Sequence, residues 1–463
     1  MSVTWFVHRS DLSDDQLRAV DLPLREQALI LGAPGSGKTL VLLHRAKRML
    51  EEQGIPPERL RIFVFTNTLK DYIRSTLALL DIPETCVCTF DYWCREFYLT
   101  FVSRRVPFVD HGPDFEAIRT GVLDKLRGGT PLRMLPNAHE PAPAPVQQTL
   151  LSEDEPDAAA SVQVEFPEFF AKVIGCPLYD GVLVDEGQDL TPVAFEILKR
   201  ISRHVTVCMD AHQQLYEEPK RCAESDILQT LGLRKCNLTI LGAYRCCPYI
   251  TRLAARLLRD PIERQAFLNQ IKTEQRERRT PLLYIAANTN EEKQHLVQII
   301  KDRQLAGDRI AILLPNKAKL FSLARTLSEA GLEVEVPKQH RATEFFIHDF
   351  QSERPKLLTY YAAKGLTFDT VIMPRLVPAS FRQMSLERLE KLLFVGLTRA
   401  TRWAYLSTVE GPMLPPVLDL ASLESAGTIT VQRAGDTLPF LGGVPNVPPA
   451  QKPANADALT DLL

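Results

Sequence analysis

The sequence predicts an α/β protein of two lobes, each a parallel sheet with helices on both faces, and three observations carry that expectation. Its short apolar runs are continuous rather than alternating, which marks strands covered on both sides. These runs are separated by stretches with helical spacing, and the strand-helix alternation occurs twice along the chain. At 463 residues the chain also exceeds what one hydrophobic core supports.

The first set opens at residues 25–50, where QALIL leads through a glycine-rich turn into LVLLHRAKRML, apolar at helical spacing. Further strands are expected at 61–65, 181–184, 205–209 and 238–241. The second set begins with LLYIAA near 281 and continues with a helix at 291–303, AILLP at 311–315 and a helix at 317–330. LEVEV, KLLTYYA, TVIMP and WAYLS complete it. These patterns place the first lobe at 1–92 and 176–245, an inserted, mostly helical subdomain at 93–175, the second lobe at 246–410 and a tail at 411–463. In the insertion Trp93, Phe97 and Phe101 fall on one helical face, predicting a buried stripe. The insertion ends in PNAHEPAPAPVQQTLLSEDEPDAAA, a composition that predicts a disordered loop over about 136–162. The Pro- and Gly-rich tail is expected to be largely disordered as well.

Composition narrows the classes. Hydrophobic residues at 45% and charged residues at 24% are ordinary globular values, and no apolar stretch is long enough to span a bilayer. The N-terminus becomes charged before an export signal could form, so a cytoplasmic location is expected. Nine cysteines without a CxxC pair read as buried small hydrophobes rather than a zinc site, although Cys222 and Cys236 with His212 are the one combination to weigh. A formal charge of −2 does not argue against nucleic acid, because phosphates respond to local basic surface.

Two motifs carry chemistry. GAPGSGKT at 32–39 fits the GxxxxGK[ST] phosphate loop and lies between an expected strand and an expected helix, the context the motif requires. Gly32, Ala33, Pro34, Gly35, Ser36 and Gly37 would turn backbone N–H groups onto phosphates at a helix N-terminus. Lys38 would reach the β and γ phosphates of ATP, and Thr39 would ligate magnesium. VLVDEGQD at 182–189 ends an apolar strand in two carboxylates, of which Asp185 would hold magnesium and Glu186 would polarise an attacking water.

With these in place the chain resembles the UvrD, Rep and PcrA group of superfamily-one helicases, whose motifs recur in order. LSDDQLRAV looks like the adenine-reading segment, implying Gln16 as the base contact. FTNTLKDYI at 65–73 and CTFDYWC at 88–94 resemble strand-contacting segments, implying Thr66, Asn67, Thr89 and Phe90 as nucleic-acid contacts. MDAHQQLY at 209–216 implies Gln213 as a γ-phosphate sensor and Tyr216 beside the strand. AYRCC at 243–247 implies Tyr244 against adenine and Arg245 at the γ-phosphate. YYAAKGLTFDTV and FVGLTRAT imply Gly365 beside the nucleotide, Tyr361 near the strand and Arg399 as the arginine finger.

The resemblance implies two RecA-like lobes closing on ATP and magnesium, with 3′-to-5′ movement along single-stranded nucleic acid, DNA favoured over RNA. Repair, recombination or defence against foreign DNA is the expected setting. The chain departs from the family where Glu217 and Glu218 follow Tyr216 in place of a stacking tryptophan. Tyr361 stands for a histidine, Thr367 for a glutamate and Met209 for a glycine. Only EVPKQHRATEFFIHDFQSERPK occupies the place of the large accessory helical insertion, which is therefore expected to be missing. These departures keep open an alternative, an ATP-gated subunit that binds nucleic acid and controls a nuclease or other protein partner without efficient unwinding.

Overall fold

The computed structural model describes residues 7–109, 112–128, 177–210, 222–240, 246–270, 279–339, 346–347, 349–382 and 384–436. Two six-stranded sheets, both wholly parallel, organise it. The first contains β1 (Ala28–Gly32), β2 (Leu60–Val64), β3 (Val87–Thr89), β4 (Tyr179–Val184), β5 (Ser202–Met209) and β6 (Leu238–Ile240). Its order is β3-β2-β4-β5-β1-β6. The second contains β7 (Leu282–Ala286), β8 (Ile310–Leu314), β9 (Lys356–Thr359), β10 (Phe368–Met373), β11 (Ala400–Val409) and β12 (Thr430–Arg433), ordered β9-β8-β10-β11-β7-β12. Counted within each lobe, the order is the same, so the chain builds one topology twice, as expected of paired RecA-like lobes.

The apolar strands explain the burial. β2, β7 and β8 are buried at every position because helices cover both faces of a parallel sheet. The phosphate-loop helix, Lys38–Glu51, packs on one face of the first sheet through Val41, Leu42, Leu43 and Ala46. On the other face lie helices Phe90–Phe101 and Phe115–Arg127, the described part of the insertion. Trp93 and Phe97 are fully buried, Phe101 nearly so, and all three share one core with β4, β5 and Phe195. The insertion thus begins as a layer of the first lobe rather than as a separate body. The proposed loop at 136–162 lies outside the described residues.

Two expectations need correction. LEVEV forms no strand: Glu335 makes a single parallel bridge to Lys356, and the stretch is too polar on alternate positions to join a fully buried sheet. The second lobe also continues past residue 410. Helix Pro415–Ala421 buries Val417 and Leu420, and β12 pairs with β7 along Leu282–Ile285. Proline at the helix start and glycine in the turns made this segment read as tail, yet those residues suit a short helix and its links. Between the positions expected to hold the accessory insertion, the described residues show only a two-stranded ladder, Lys338–Gln339 with Phe346–Ile347. Among the described residues, no helix is long and apolar enough to cross a membrane.

Arg45 fastens the phosphate-loop helix to its surroundings. Its Nη1 donates to the carbonyls of Val20 and Leu22, its Nε to Thr206 Oγ1 and its Nη2 to His204 Nε2 at 3.1 Å. Burial, and then the Arg45 charge, push the His204 imidazole down to about 3. The folded state therefore binds fewer protons than the unfolded one between that value and about 6.5. Stability is complete above pH 6.5 and declines as the pH falls towards 3. Urea midpoints followed from pH 7 to pH 4 should drop, and His204→Gln should flatten the slope, by at most about 1.4 kcal/mol per pH unit. In the neighbouring core, Trp93 donates to Tyr179 Oη at 2.8 Å. Trp93→Ala should cost about 3–5 kcal/mol in the same denaturation measurement.

Candidate active site between the lobes

β1 delivers the chain to Gly32, and the loop turns through Gly35 (φ +81°) and Gly37 (φ +85°) before the helix starts at Lys38. That left-handed backbone is why glycine is required at both positions. Space imposes a second requirement. A Cβ on Gly32 would lie 2.4 Å from Ser36 Oγ, and one on Gly37 would lie 2.4 Å from Gln16 Nε2. Ala33 and Pro34 fill the buried start of the loop.

Gln16 braces this turn from outside. It closes a capping box with Ser13, accepting from Ser13 N at 3.0 Å, and donates through Nε2 to the Ser36 carbonyl at 2.9 Å. One amide hydrogen and one lone pair are left for another partner.

Lys38 Nζ donates to the carbonyls of Gly32 (2.8 Å) and Ala33 (3.1 Å) and lies 3.5 Å from Asp210 Oδ2. Thr39 donates its hydroxyl hydrogen to Asp185 Oδ2 at 2.6 Å, so β1 and β4 meet through the two oxygens expected to hold a cation. Asp185 and Glu186 are buried side by side at the end of β4. Burial, reinforced by the Glu186 charge, lifts the Asp185 carboxyl to about 6. Burial opposes ionisation of Glu186 too, but Lys364, Lys38 and Arg399 together outweigh it and hold that carboxyl below its ordinary value. Glu186 sits at φ +55°, a strained left-handed position for a residue with a side chain. Gln188 holds it there, donating to Glu186 Oε2 and accepting from Asp210 N at 3.0 Å.

The second lobe closes this site. Lys364 Nζ donates to Asp189 Oδ2 at 2.6 Å and lies 3.9 Å from Glu186 Oε2, with both side chains of the short pair buried. Gly365, at φ +80°, brings the loop so near the first lobe that a Cβ would meet Leu69 Cδ2 at 2.9 Å. Arg399 is 2% exposed, held by the carbonyls of Val395 and Leu366 and by Thr398 Oγ1. It lines one cavity with Gly35, Gly37, Lys38, Thr39, Glu186 and Gly365. That cavity measures about 20 Å³, room for a water or two. Ligand pockets run to roughly 300–1,000 Å³, so a nucleotide requires the lobes to part.

The residues suit a phosphate chain and a hard divalent cation. The loop is a cradle that a Cβ would fill, the buried Ser36 Oγ has no hydrogen-bond partner among the described residues, and Thr39 and Asp185 bring together two oxygens of the kind a hard cation takes. Three residues that sequence reasoning passed over belong here. Asp189, Asp210 and Lys364 all lay in the quoted motif segments, but only the packing of the two lobes brings out which of their charges meet.

The expected nucleic-acid contacts divide. Thr66 and Asn67, half-buried where β2 ends, cap and begin helix Asn67–Leu77; Thr66 Oγ1 accepts from Leu69 N and Asn67 Oδ1 from Lys70 Nζ. Tyr361 is half-buried, its hydroxyl accepting from Arg388 Nε at 2.9 Å and Nη2 at 2.6 Å. Thr89 is a buried N-cap accepting from Tyr92 N. Phe90 corrects the expectation: it is 2% exposed, packed edge-on against Phe63 and parallel to Trp93, because the helix it begins turns its aromatic face into the core. Gln213, Tyr216, Tyr244 and Arg245 lie outside the described residues. So does His212; among the described residues no group of three His, Cys, Asp or Glu is placed to hold a metal.

A phosphate loop with strand-end carboxylates, faced by an arginine and a lysine from a second lobe of the same topology, defines a two-lobed α/β protein of the P-loop class. Residues 12–117 match the UvrD/REP helicase N-terminal domain, and residues 357–407 match the UvrD-like helicase C-terminal domain. Each lobe thus contains a segment similar to a UvrD-type helicase domain. It is also 47% identical, over 67 residues, to a Bacillus subtilis (strain 168) chain named as an ATP-dependent DNA helicase, YjcD. That match spans 14% of this chain and only 9% of the relative. The solved C-terminal domain of a possible DNA helicase from Lactobacillus plantarum WCFS1 aligns over 41% of this chain and 98% of its own length. Its identity is 20% and its TM-score 0.31, so it adds nothing to what the strand order establishes.

Gly37→Ala tests the cradle. Both the positive φ and the clash with Gln16 oppose it, and ATP affinity measured by calorimetry should fall at least about tenfold.

Proposed function

We propose that the chain is an ATP hydrolase that moves 3′-to-5′ along single-stranded nucleic acid, DNA in preference to RNA. The observation that carries the proposal is the meeting of Arg399 and Lys364, from the second lobe, with Lys38 and Glu186, from the first. When bound, ATP with magnesium supplies the phosphoanhydride to be cleaved and the cation that draws charge from it. Lys38 would exchange its carbonyl partners for phosphate oxygens, and Thr39 with Asp185 would hold the cation. Glu186 Oε2 is engaged by Gln188 and Lys364, leaving Oε1 to take a proton from water. Arg399 would neutralise charge that develops across the cleft. Since Lys364 reaches Asp189 and Glu186 from the far lobe, a change of charge at the cleft alters how the lobes hold each other. Thr66, Asn67 and Tyr361 would pass that change to the strand.

One observation favours the second reading, an ATP-gated subunit acting with a nuclease or other partner. Phe90 is buried, which with Glu217 and Glu218 removes stacking surface worth roughly 1–3 kcal/mol per base. Efficient duplex unwinding by the isolated chain would dismiss that reading.

ATP turnover, measured with and without DNA and RNA oligonucleotides, should rise with single-stranded DNA and vanish in Lys38→Ala. Arg399→Ala should lower kcat by about 10³–10⁵. Turnover that ignores nucleic acid, or that survives Lys38→Ala, would reject the proposal.

A further inference from the structure

A second cavity, of about 60 Å³, lies in the second lobe and is lined by Arg279, Arg303, Ala306, Asp308, Arg402 and Trp403. It shares no residue with the nucleotide cleft. Its position follows from the topology. Arg279 precedes β7, Asp308 precedes β8, and Arg402 and Trp403 stand near the start of β11, so all four come from the end where parallel strands begin. Arg303 reaches the same end from the last turn of helix Thr289–Leu305.

The charged side chains that line this cavity are mostly basic. Three guanidinium groups face one carboxylate, and that carboxylate makes its shortest bond to a neutral hydroxyl, Asp308 Oδ2 accepting from Thr370 Oγ1 at 2.6 Å. Arg303 Nη1 and Arg402 Nη1 each reach Asp308 only at 3.4 Å. Arg402 Nε lies 3.8 Å from Asp369, but that carboxylate already accepts from Arg309 Nε at 3.0 Å. Arg303 is 5% exposed, and among the described residues its Nε has no hydrogen-bond partner. The buried guanidinium is fixed in place, 4.7 Å over the Trp403 ring, and the indole is fixed in turn by its bond to the Thr280 carbonyl at 2.9 Å. Burial lowers the Arg303 pKa, the cost of a buried cation without a full complement of acceptors.

We propose that this cavity binds one phosphate-type oxyanion, at a site separate from the nucleotide cleft. Planar guanidinium forks match tetrahedral oxyanions in pairs, and about 60 Å³ suits a small ion rather than a nucleotide. Trp403 is 2% exposed and covered by Arg303, so it offers no face to a base. The site reads phosphate alone. Arg402, about half exposed, forms its mouth and gives access either to free phosphate or to the terminal phosphate of a nucleic-acid strand.

The test uses the full chain carrying Lys38→Ala, which removes phosphate binding at the nucleotide cleft. Sodium phosphate is titrated at constant ionic strength, followed by calorimetry and by thermal unfolding. Saturable binding is expected, weakened about tenfold or more when Arg402→Gln is added, the loss of one charged hydrogen-bonding partner. Arg303→Lys, which keeps the charge but not the fork, should also weaken it while circular dichroism stays unchanged. Two otherwise identical single-stranded oligonucleotides, one 5′-phosphorylated and one 5′-hydroxyl, identify the source. A preference for the phosphorylated strand that Arg402→Gln removes upholds the site as a reader of strand ends. Equal binding of both strands, with inorganic phosphate still saturating the site, upholds it as a free-anion site. Absence of saturable phosphate binding in the Lys38→Ala chain, or an affinity that Arg402→Gln leaves unchanged, overturns the proposal.

Discussion

Asp185, Glu186 and Asp189 are withdrawn from water within five residues of one another, and the rest of the molecule answers that concentration of negative charge. Buried carboxylates persist only where cations or donors meet them. Lys38 and Thr39 come from the first lobe, while Lys364 and Arg399 come from the second. Each lobe supplies part of the positive charge that faces this group. The electrostatic demand at the end of β4 therefore makes the two lobes one device.

The repeated strand order explains how one chain meets that demand. Parallel strands collect their loops at defined ends, and in both lobes the segments that join strands to helices or to one another carry the charged residues of the cleft. The first lobe presents the ends of β1 and β4. The second presents the loop between β9 and β10 and the turn just before β11. The basic cavity around Arg303 and Arg402 arises at the beginning of strands in that same second sheet, so one architecture supplies two separated places where phosphate chemistry fits.

Residues such as Gly37, Lys38 and Asp185 could be read from the chain because their constraints are local. A phosphate loop needs glycine at fixed turns, then lysine at a helix start, and a continuous apolar run ending in acid marks a buried strand tip. The same local reading erred where neighbours far along the chain decide the outcome. Phe90 sits in a segment that resembles strand-contacting sequence, yet the core shared by Phe63 and Trp93 takes its ring. LEVEV has strand-forming residues but no complete place in the sheet, whereas the proline-rich stretch after 410 contributes β12 because β7 still had an open edge.

By itself the sequence determined the class of fold, the loop at Gly32–Thr39 and the carboxylates that follow β4, all of them set by spacing and periodicity within short windows. Only the tertiary structure decided that Lys364 pairs with Asp189 across the lobes, that Gln16 braces the Ser36 turn, and that Arg279, Arg303 and Arg402 gather around one carboxylate. Those partners stand 175 and 20 residues apart in the first two cases. Charge complementarity acts through space, and no periodic signal along a chain records which distant side chains folding will bring within reach.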